Sequence, residues 1–167
     1  MQITNNSWHV VYTYPKQERK IFQQLSEKEI PAYLPSQKVI QQWSDRKKSV
    51  EVLLFPNYVF VKVPSVDRYK VLSVPGVTRF IFFDGKPAIV SEKEMAIIKL
   101  ISGEDMEIEK EDFCQTGDKV RVLCGPLAGL KGRLMEKKGR KRFAIRFDSI
   151  TQVVSVEIQA AFLEKIS

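Results

Sequence analysis

The sequence predicts an α+β protein of two units, in which an antiparallel sheet flanked by helices is followed by a small β-barrel. Hydrophobic residues make up 44% of the 167 residues, which is enough to bury a core. Strand and helix periods alternate up to residue 102, and only strand periods follow residue 117. Between them, GEDMEIEKED at 103–112 holds six acids and one lysine.

This acidic block is expected to be a linker over 103–116, between domains at 1–102 and 117–167, because its charges repel one another and resist packing. The alternative is the acidic end of a helix, since Glu and Lys are good helix formers. Residues 1–116 carry 16 Lys or Arg against 15 Asp or Glu, and the rest carry 11 against 5. The second unit therefore holds most of the net charge of +7, which favours a polyanionic or acidic partner.

The first unit begins with a strand and a helix. Residues 8–14, WHVVYTY, alternate as a half-buried strand does. Pro15 then opens a helix with Ile21 and Leu25 on one face. A β-rich stretch follows, and its strongest predicted strand is EVLLFPNYVFVKV at 51–63.

Further helices and a strand complete this unit. Ser65 caps a short helix that reaches Leu72, and PGV turns the chain into the strand VTRFIFF. After the turn DGKP at 84–87, Ser91 and Glu94 form a capping box ahead of a third helix. The order β-α-β-β-α-β-α predicts an antiparallel sheet with helices packed on it.

The second unit shows short strands alone. Apolar residues alternate with charged or polar ones at 119–124, 142–147 and 153–158. Four or five strands in about fifty residues, separated by glycine turns, predict a small closed barrel. Because these strands are rich in β-branched residues, we expect them to stay β.

The stretch GDKVRVLCGPLAGLKGRL, residues 117–134, joins the first two barrel strands. It contains neither of the phosphate-binding patterns GxxxxGK[ST] and GxGxxG. We interpret Gly125, Gly129 and Gly132 as turn residues that need a positive φ or a close approach of two backbones. Leu127 is expected on an exposed loop.

Residues suited to catalysis or metal binding are few. His9 is the only histidine, and no serine or cysteine nucleophile motif accompanies it, so we expect a structural histidine. Cys114 and Cys124 are the only cysteines and lack CxxC spacing, so we expect reduced thiols rather than a disulfide or zinc site. The protein is predicted not to be an enzyme and to use no cofactor and no metal.

Targeting and membrane signals are also missing from the sequence. No apolar run reaches the roughly 18 residues of a membrane span, and MQITNNSWHVVY lacks the basic and long apolar regions of a signal peptide. We therefore expect a cytoplasmic monomer with no membrane partner.

The strand within 51–63 carries the most informative candidate site. Alternation places Tyr58, Phe60 and Lys62 on one face and three valines on the other, which suits a helix-covered core. If helices cover only the valine face, Tyr58 and Phe60 form an open aromatic surface of the kind that binds a partner. Phe83 of the following strand is expected on the same face. The alternative is that all these rings are core, because Phe is usually buried.

Three basic clusters are candidates for contact with nucleic acid. They are Lys16, Arg19 and Lys20 on the first helix, Arg46, Lys47 and Lys48 in a polar loop, and KKGRKR at 137–142. Each cluster alone is typical of a solvated face or a hairpin tip. Together they favour contact with the phosphate backbone, which positions a protein without reading base sequence.

Several stretches, in order along nearly the whole chain, resemble the NusG family of transcription elongation factors. They are WHVVYTYPKQERKI, FPNYVFVKV, VPGVTRFI with DGKPAIVSEKEM, and the glycine stretch, which resembles a KOW motif. LFPNYVFV further resembles the specialised paralogues typified by RfaH and by the UpxY-type antiterminators of capsular polysaccharide operons. The resemblance implies a ferredoxin-like amino-terminal (NGN) domain and an SH3-like, five-stranded KOW barrel.

The resemblance also implies a function for the amino-terminal domain. That domain would bind the clamp helices of the largest RNA polymerase subunit through Tyr58, Phe60 and Phe83, while the basic residues lie near the non-template DNA. It would suppress pausing and termination on selected operons, as a processive antiterminator. The segment DRYKVLS at 67–73 lacks the threonine-rich loop of RfaH-like proteins, which puts a second polymerase contact in doubt.

For the barrel, the resemblance implies a partner surface at Leu127, Arg146 and Phe147. These positions fall where NusG proteins meet a ribosomal small-subunit protein or the termination factor Rho. Leu127 stands in place of an aromatic residue and Arg146 in place of an apolar one, so the choice of partner is open.

Two alternative functions fit the same residues. The first is a housekeeping NusG, and the second is a ribosome-associated KOW protein that binds RNA through residues 137–142. Polymerase binding by a fragment 1–102 would exclude the second alternative, whereas tight, salt-dependent RNA binding by 117–167 alone would favour it.

Overall fold

The computed structural model describes residues 6–103, 107–111 and 117–166. The chain divides into two units, Met1–Ser36 with Phe55–Lys99, and Gln37–Leu54 with Leu100–Ser167. The helices are α1 Glu18–Glu27, α2 Arg68–Leu72 and α3 Glu92–Gly103. The strands are β1 Ser7–Thr13, β2 Ala32–Tyr33, β3 Ser36–Gln42, β4 Lys47–Leu53, β5 Tyr58–Val63, β6 Val77–Phe80, β7 Phe82–Phe83, β8 Lys86–Pro87, β9 Ile108–Glu111, β10 Asp118–Val122, β11 Lys131–Lys137, β12 Arg140–Phe147, β13 Gln152–Glu157 and β14 Leu163–Lys165.

The first unit is built on an antiparallel sheet with strand order β2-β5-β1-β6. The valine face of β5 forms a core with Ile21 and Leu25 of α1 and Val71 of α2, as predicted. Ile21 and Leu25 lie four residues apart, which places both on one face of α1. Each such side chain contributes about 1.5 to 3 kcal/mol when it leaves water, so this face holds the sheet and helices together.

The starts of the helices follow local signals. α1 begins at Glu18 rather than at the predicted proline, because Lys16 has a left-handed φ of 65° and turns the chain first. α3 begins at Glu92, directly after the predicted capping residue Ser91. Ser91 Oγ accepts the Glu94 N–H at 3.0 Å and donates to Glu94 Oε1 at 3.4 Å, which stabilises the first turn.

The predicted single strand over 51–63 is two strands, because the chain turns before Tyr58. Pro56 has no N–H to donate to a ladder, and Asn57 adopts a left-handed φ of 72°. The Asn57 side-chain amide donates to the Thr13 carbonyl at 3.1 Å, and the Thr13 N–H donates to the Asn57 carbonyl at 2.8 Å. These bonds fix the start of β5 against the end of β1 and so position Tyr58.

β3 and β4 form a separate two-stranded hairpin. The Trp43 N–H donates to the Arg46 carbonyl at 2.7 Å, and the Arg46 N–H donates back at 3.4 Å, which closes a tight turn. Residues 40–49 are all exposed. At the base, the Gln37 side chain donates to the Ile108 carbonyl at 2.9 Å and accepts the Ile108 N–H at 3.1 Å. The hairpin is therefore anchored at its base and solvated at its tip.

The second unit contains an antiparallel sheet with strand order β14-β10-β11-β12-β13-β9. Its apolar core includes the predicted alternating residues Phe143, Ile145 and Phe147 of β12. The structure differs from the prediction at β9, which lies within the stretch 103–116 expected to be a linker. There, β9 pairs with β13 and adds a sixth strand to the expected five.

Charge explains why this acidic segment forms a strand. Lys137 Nζ lies 2.8 Å from Glu109 Oε2 and 3.3 Å from Glu111 Oε1. Ser155 Oγ donates to Glu111 Oε1 at 2.7 Å. The buried Arg142 donates from Nε to Ser155 Oγ at 2.8 Å and from its terminal nitrogen to the Ser155 carbonyl at 2.9 Å. The acids of β9 thus have hydroxyl and cationic partners on other strands of the sheet, which offset their mutual repulsion.

The glycines of this unit serve the two predicted purposes. Gly125 and Gly129 each have a φ of 89°, which side chains rarely adopt. Gly132 allows close approach, because a Cβ there would lie 2.7 Å from the Phe143 ring. Of the two structures typical of a run such as KKGRKR, a solvated face or a hairpin tip, the structure shows a hairpin turn, with positive φ at both turn residues, 138–139.

Candidate functional site

Two tyrosines and an arginine lie together at one end of the first sheet. Tyr12 pairs with Tyr58 across β1 and β5, and with Arg79 across β1 and β6. Cross-strand partners point to the same side of a sheet, so the three side chains share one face. The tyrosine ring centroids are 6.1 Å apart in an edge-on arrangement, and the Arg79 guanidinium carbon lies 5.2 Å from the Tyr12 centroid. We call Tyr12, Tyr58 and Arg79 the aromatic face.

One predicted aromatic anchor, Phe60, lies in the core instead. It is 0% exposed, and its ring centroid is 5.9 Å from that of Phe55. The expectation of an open face at Phe60 is wrong, because a helix also contacts this side of the sheet. Lys99 Nζ of α3 lies 5.1 Å from the Trp8 ring centroid and 5.7 Å from that of Tyr33, whose strand partner is Phe60. Truncating Phe60 would therefore test core packing rather than a surface contact.

Phe83 is exposed, but it belongs to a different sheet from Tyr58. Phe82 and Phe83 form β7, which pairs with β8. A cleft of about 330 Å³ lies beside β6. Its lining residues are Arg68, Leu72, Thr78, Arg79, Phe80, Phe82 and Pro87. The cleft joins Phe82, which is 55% exposed, to Arg79 of the aromatic face.

The basic residues predicted to contact nucleic acid fall into separate groups. Lys16, Arg19 and Lys20 are exposed at the start of α1. Arg46, Lys47 and Lys48 are exposed at the tip of the β3–β4 hairpin. The first group belongs to the first unit and the second group to the second. Each group concentrates positive charge on solvated side chains.

Two residues predicted to form the partner surface of the barrel are buried. Leu127 is 2% exposed and Phe147 is 1% exposed. The expectation of an exposed Leu127 is wrong, because the loop folds back on the sheet, where the Gly129 N–H donates to the Val122 carbonyl at 2.8 Å. Phe147 continues the inward alternation of β12.

The surface of the second unit offers other apolar groups. Leu123 and Phe162 are both exposed, and the Leu123 N–H donates to the Phe162 carbonyl at 2.8 Å. Arg146 is exposed as well, and its Nε lies 2.6 Å from Asp148 Oδ1. An apolar pair and an arginine are therefore available on this unit.

The groups considered for catalysis occupy structural positions. His9 Nδ1 donates to the Ala88 carbonyl at 3.1 Å, and burial lowers the pKa of His9, although this hydrogen bond opposes the shift. The imidazole is therefore neutral and part of the core at pH 7. Within residues 6–103, 107–111 and 117–166, no three His, Cys, Asp or Glu side chains are grouped to hold a metal. Cys124 is exposed, whereas Cys114 lies outside the described residues.

None of the helices described here has both the length and the apolar character needed to cross a bilayer.

Sequence reasoning missed five residues of these surfaces: Tyr12, Arg79 and Trp43, and the exposed pair Leu123 and Phe162. Alternation indicates the face on which Tyr12 lies, but only the strand register places it beside Tyr58. Trp43 did carry a signal, because a tryptophan between QQ and SDRKK has no apolar neighbours with which to form a core.

Comparisons of this chain with family models, curated proteins and solved structures all match the same family. The family model described as "Transcription termination factor nusG" matches residues 6–99. The "Transcription termination/antitermination protein NusG" of Lactococcus lactis is 28% identical over an alignment covering 97% of this chain and 94% of that protein. The protein of the same name from Staphylococcus carnosus is 26% identical, with 95% of each chain covered. The structure titled "Domain interaction in Thermotoga maritima NusG" covers 98% of both chains with a TM-score of 0.58 and 26% identity.

Proposed function

The chain belongs to the NusG family, and we propose that it binds the clamp helices of RNA polymerase and acts as a processive antiterminator. The observation that carries this proposal is the aromatic face, where Tyr12 and Tyr58 stack edge-on beside Arg79. Tyr and Arg are enriched among the residues that dominate protein interfaces. The cleft beside β6, with the exposed Phe82, extends this surface.

The proposed action is binding, with no bond made or broken. Tyr58 and Tyr12 anchor the first unit on the polymerase, and Phe83 supplies a further exposed ring. Phe60, two residues after Tyr58 on β5, lies in the core next to Phe55. Asn57 holds the turn that sets the position of Tyr58, through its bonds to Thr13. A factor held in this way keeps the enzyme in an elongating conformation and so suppresses pausing and termination.

The basic groups fit a second contact in the same complex. Lys16, Arg19 and Lys20 on α1, and Arg46, Lys47 and Lys48 on the β3–β4 hairpin, are exposed and cationic. Such side chains bind phosphates regardless of sequence. We assign them to the non-template DNA of the elongation complex.

A pull-down with a clamp-helix fragment of the largest polymerase subunit tests the first contact. Tyr58→Ala and Tyr12→Ala should each weaken binding at least about thirtyfold, because loss of a hot-spot side chain costs about 2 kcal/mol or more. The matched control is Tyr69→Ala, which removes an exposed ring from α2 of the same unit. Unchanged binding by both aromatic-face variants, with their melting curves intact, would contradict the proposed surface.

Selection of particular operons is the finer part of the proposal, and the resemblance of LFPNYVFV to specialised paralogues supports it. Chromatin immunoprecipitation of the protein should then enrich a few long operons, polysaccharide operons among them. Even enrichment over most transcribed genes would instead favour a housekeeping NusG.

For the second unit, we propose a partner surface that includes Arg146 and the exposed pair Leu123 and Phe162. This revised surface replaces the buried residues Leu127 and Phe147. Its candidate partners are a ribosomal small-subunit protein and Rho. Phe162→Ser should weaken binding to the true partner in a titration followed by nuclear magnetic resonance, and an unchanged affinity would reject this surface.

A further inference from the structure

Glu18, the first residue of α1, is a buried acid. It is 6% exposed, and its Oε1 has no hydrogen-bond partner among the residues that the structure describes. An acid in the first turn of a helix interacts favourably with the helix dipole, but an exposed side chain would serve that purpose equally well. Burial of a carboxylate with incomplete hydrogen bonding costs free energy. The burial of Glu18 is therefore not explained by the stability of α1 alone.

The other carboxylate oxygen of Glu18 contacts the turn before β5. Glu18 Oε2 accepts the Asn57 N–H at 3.4 Å, although 39 positions separate the two residues in the chain. Asn57 has a left-handed φ of 72° and bonds to Thr13 through both its side chain and its carbonyl. A left-handed φ is unfavourable for a residue with a side chain, so this turn depends on the hydrogen bonds around it. Glu18 supplies the bond that comes from α1.

Tyr58 of the aromatic face follows this turn directly and is the first residue of β5. The Tyr58 N–H donates to the Phe55 carbonyl at 3.2 Å, so the backbone of Tyr58 closes the same turn. The Tyr58 ring lies edge-on to the Tyr12 ring, with 6.1 Å between the centroids. A change in the conformation of Asn57 would therefore move the Tyr58 ring relative to Tyr12.

We propose that Glu18 is a positioning residue for the aromatic face. Its Oε2 holds the turn at Asn57, and this turn holds the Tyr58 ring in the orientation that binds the polymerase. Because Glu18 is buried, it acts through the turn and not by contact with the partner. This inference rests on the proposed polymerase contact and extends the residues that determine it from the sheet to α1.

The test is a titration of the full chain with the clamp-helix fragment. Glu18→Met removes both acceptor oxygens but keeps an unbranched side chain that suits a buried position on a helix. It should weaken binding about threefold to tenfold, the effect of one lost hydrogen bond. Its melting temperature should stay close to that of the natural chain, because removal of the buried charge offsets the lost bond.

Two variants serve as controls for this titration. Glu18→Gln keeps an oxygen that accepts the Asn57 N–H, so it should restore most of the affinity. Glu27→Ala removes an exposed acid from the same helix and should leave the affinity unchanged. If Glu18→Met does not fold, Glu18→Ala takes its place in every comparison.

Two further measurements distinguish positioning from a general loss of stability. In a Tyr58→Ala background, Glu18→Met should change the affinity by less than about twofold, because the ring through which it acts is already absent. In nuclear magnetic resonance spectra, Glu18→Met should shift the ring protons of Tyr58 and Tyr12. Glu18→Gln and Glu27→Ala should leave these ring signals in place.

Three results would overturn the role of Glu18. Natural affinity and unshifted ring signals in Glu18→Met would mean that the aromatic face does not depend on this residue. An equal loss of affinity with and without the Tyr58 ring would place the effect of Glu18 elsewhere. An equal loss in Glu18→Gln and Glu18→Met would assign the effect to charge and not to the hydrogen bond.

Failure of the polymerase contact itself gives a different result. Full affinity in Tyr58→Ala would reject the aromatic face as the polymerase surface. The ring signals of Tyr58 and Tyr12 in Glu18→Met would still show whether Glu18 positions the ring, because they are measured without the partner.

Discussion

The β3–β4 and β11–β12 hairpins each carry a basic run at a tight turn, RKK at 46–48 and KKGRKR at 137–142. In the second run, Lys137 contacts two carboxylates of β9, and Arg140 pairs with Glu157 at 3.3 Å. Arg142, the last cation of this run, is buried and donates hydrogen bonds to Ser155. The first run lies in a fully exposed tip beside an exposed ring. Similar charge runs thus have a structural role in one hairpin and fully solvated positions in the other, where we propose a binding role.

The largest difference should appear when a cation is removed from the β11–β12 hairpin. Arg142→Ala should lower the free energy of unfolding by about 3 kcal/mol, because it removes two buried hydrogen bonds to Ser155 and the ion pair with Glu109 at 3.9 Å, and opens a void. Urea denaturation measures this loss. Lys141→Ala, the exposed neighbour on the same strand, should change stability by less than about 0.5 kcal/mol. Equal effects of the two substitutions would remove the structural role assigned to this hairpin.

The second-largest effect on stability should come from substitutions in the turns of the two hairpins. Gly139 has a φ of 76°, and nothing lies within 4 Å of the position of its Cβ, so Gly139→Ala tests backbone strain alone. It should cost about 1 kcal/mol in urea denaturation. Ser44 is not among the described residues with a positive φ, and Ser44→Ala should be close to neutral. A neutral Gly139→Ala would mean that the β11–β12 turn tolerates a different conformation.

A smaller effect should appear in the dependence of stability on pH. The hydrogen bond from Lys137 is the main cause that lowers the pKa of Glu109 below its ordinary value of 4.5. A carboxyl group with a lowered folded pKa stabilises the fold fully above its unfolded pKa and loses that contribution as the pH falls through the folded value. Stability should therefore fall with pH below 4.5. Lys137→Gln should flatten this part of the curve.

The contact between Lys137 and Glu109 also predicts a change in stability at alkaline pH. Hydrogen bonds to Glu109 and Glu111 raise the pKa of Lys137 above 10.5. Its contribution is complete below 10.5 and is lost as the pH rises through the raised value. The change in stability with pH should be modest at both ends of the curve, because each carboxylate is either exposed to water or shared among several partners. The β3–β4 substitutions Lys47→Gln and Lys48→Gln serve as controls that leave both ends of the curve unchanged.

Local chemistry in the sequence was sufficient for several of these features. The capping pair Ser91 and Glu94, the glycines at 125, 129 and 132, and the hairpin tip at 138–139 each depend on a few adjacent residues, and the structure contains them all. The valine face of β5 also follows from alternation, since one side of a strand must be buried.

Features that depend on distant partners were not predictable in this way. Alternation placed Phe60 on the face of Tyr58 but could not indicate that α3 covers this part of the sheet. Leu127 is buried because its loop folds back, which the motif alone does not show. β9 is a strand because Lys137, well over twenty positions later in the chain, meets its acids. In each case the missing information was long-range contact, not residue preference.

The smallest effect on stability, and the clearest on binding, should come from the exposed lysines of the β3–β4 tip. Lys47→Gln with Lys48→Gln should leave the free energy of unfolding within about 0.5 kcal/mol, because both side chains are exposed. The same double substitution should reduce the slope of log affinity for oligothymidylate against log salt by about 0.7 for each lost phosphate contact. Lys138→Gln with Lys141→Gln removes the same charge from exposed positions of the other hairpin and should leave that slope unchanged. Equal slopes for the two double variants would mean that the strand senses net charge alone. A loss confined to the Lys138 and Lys141 variant would move nucleic-acid binding to the β11–β12 hairpin and favour the RNA-binding alternative.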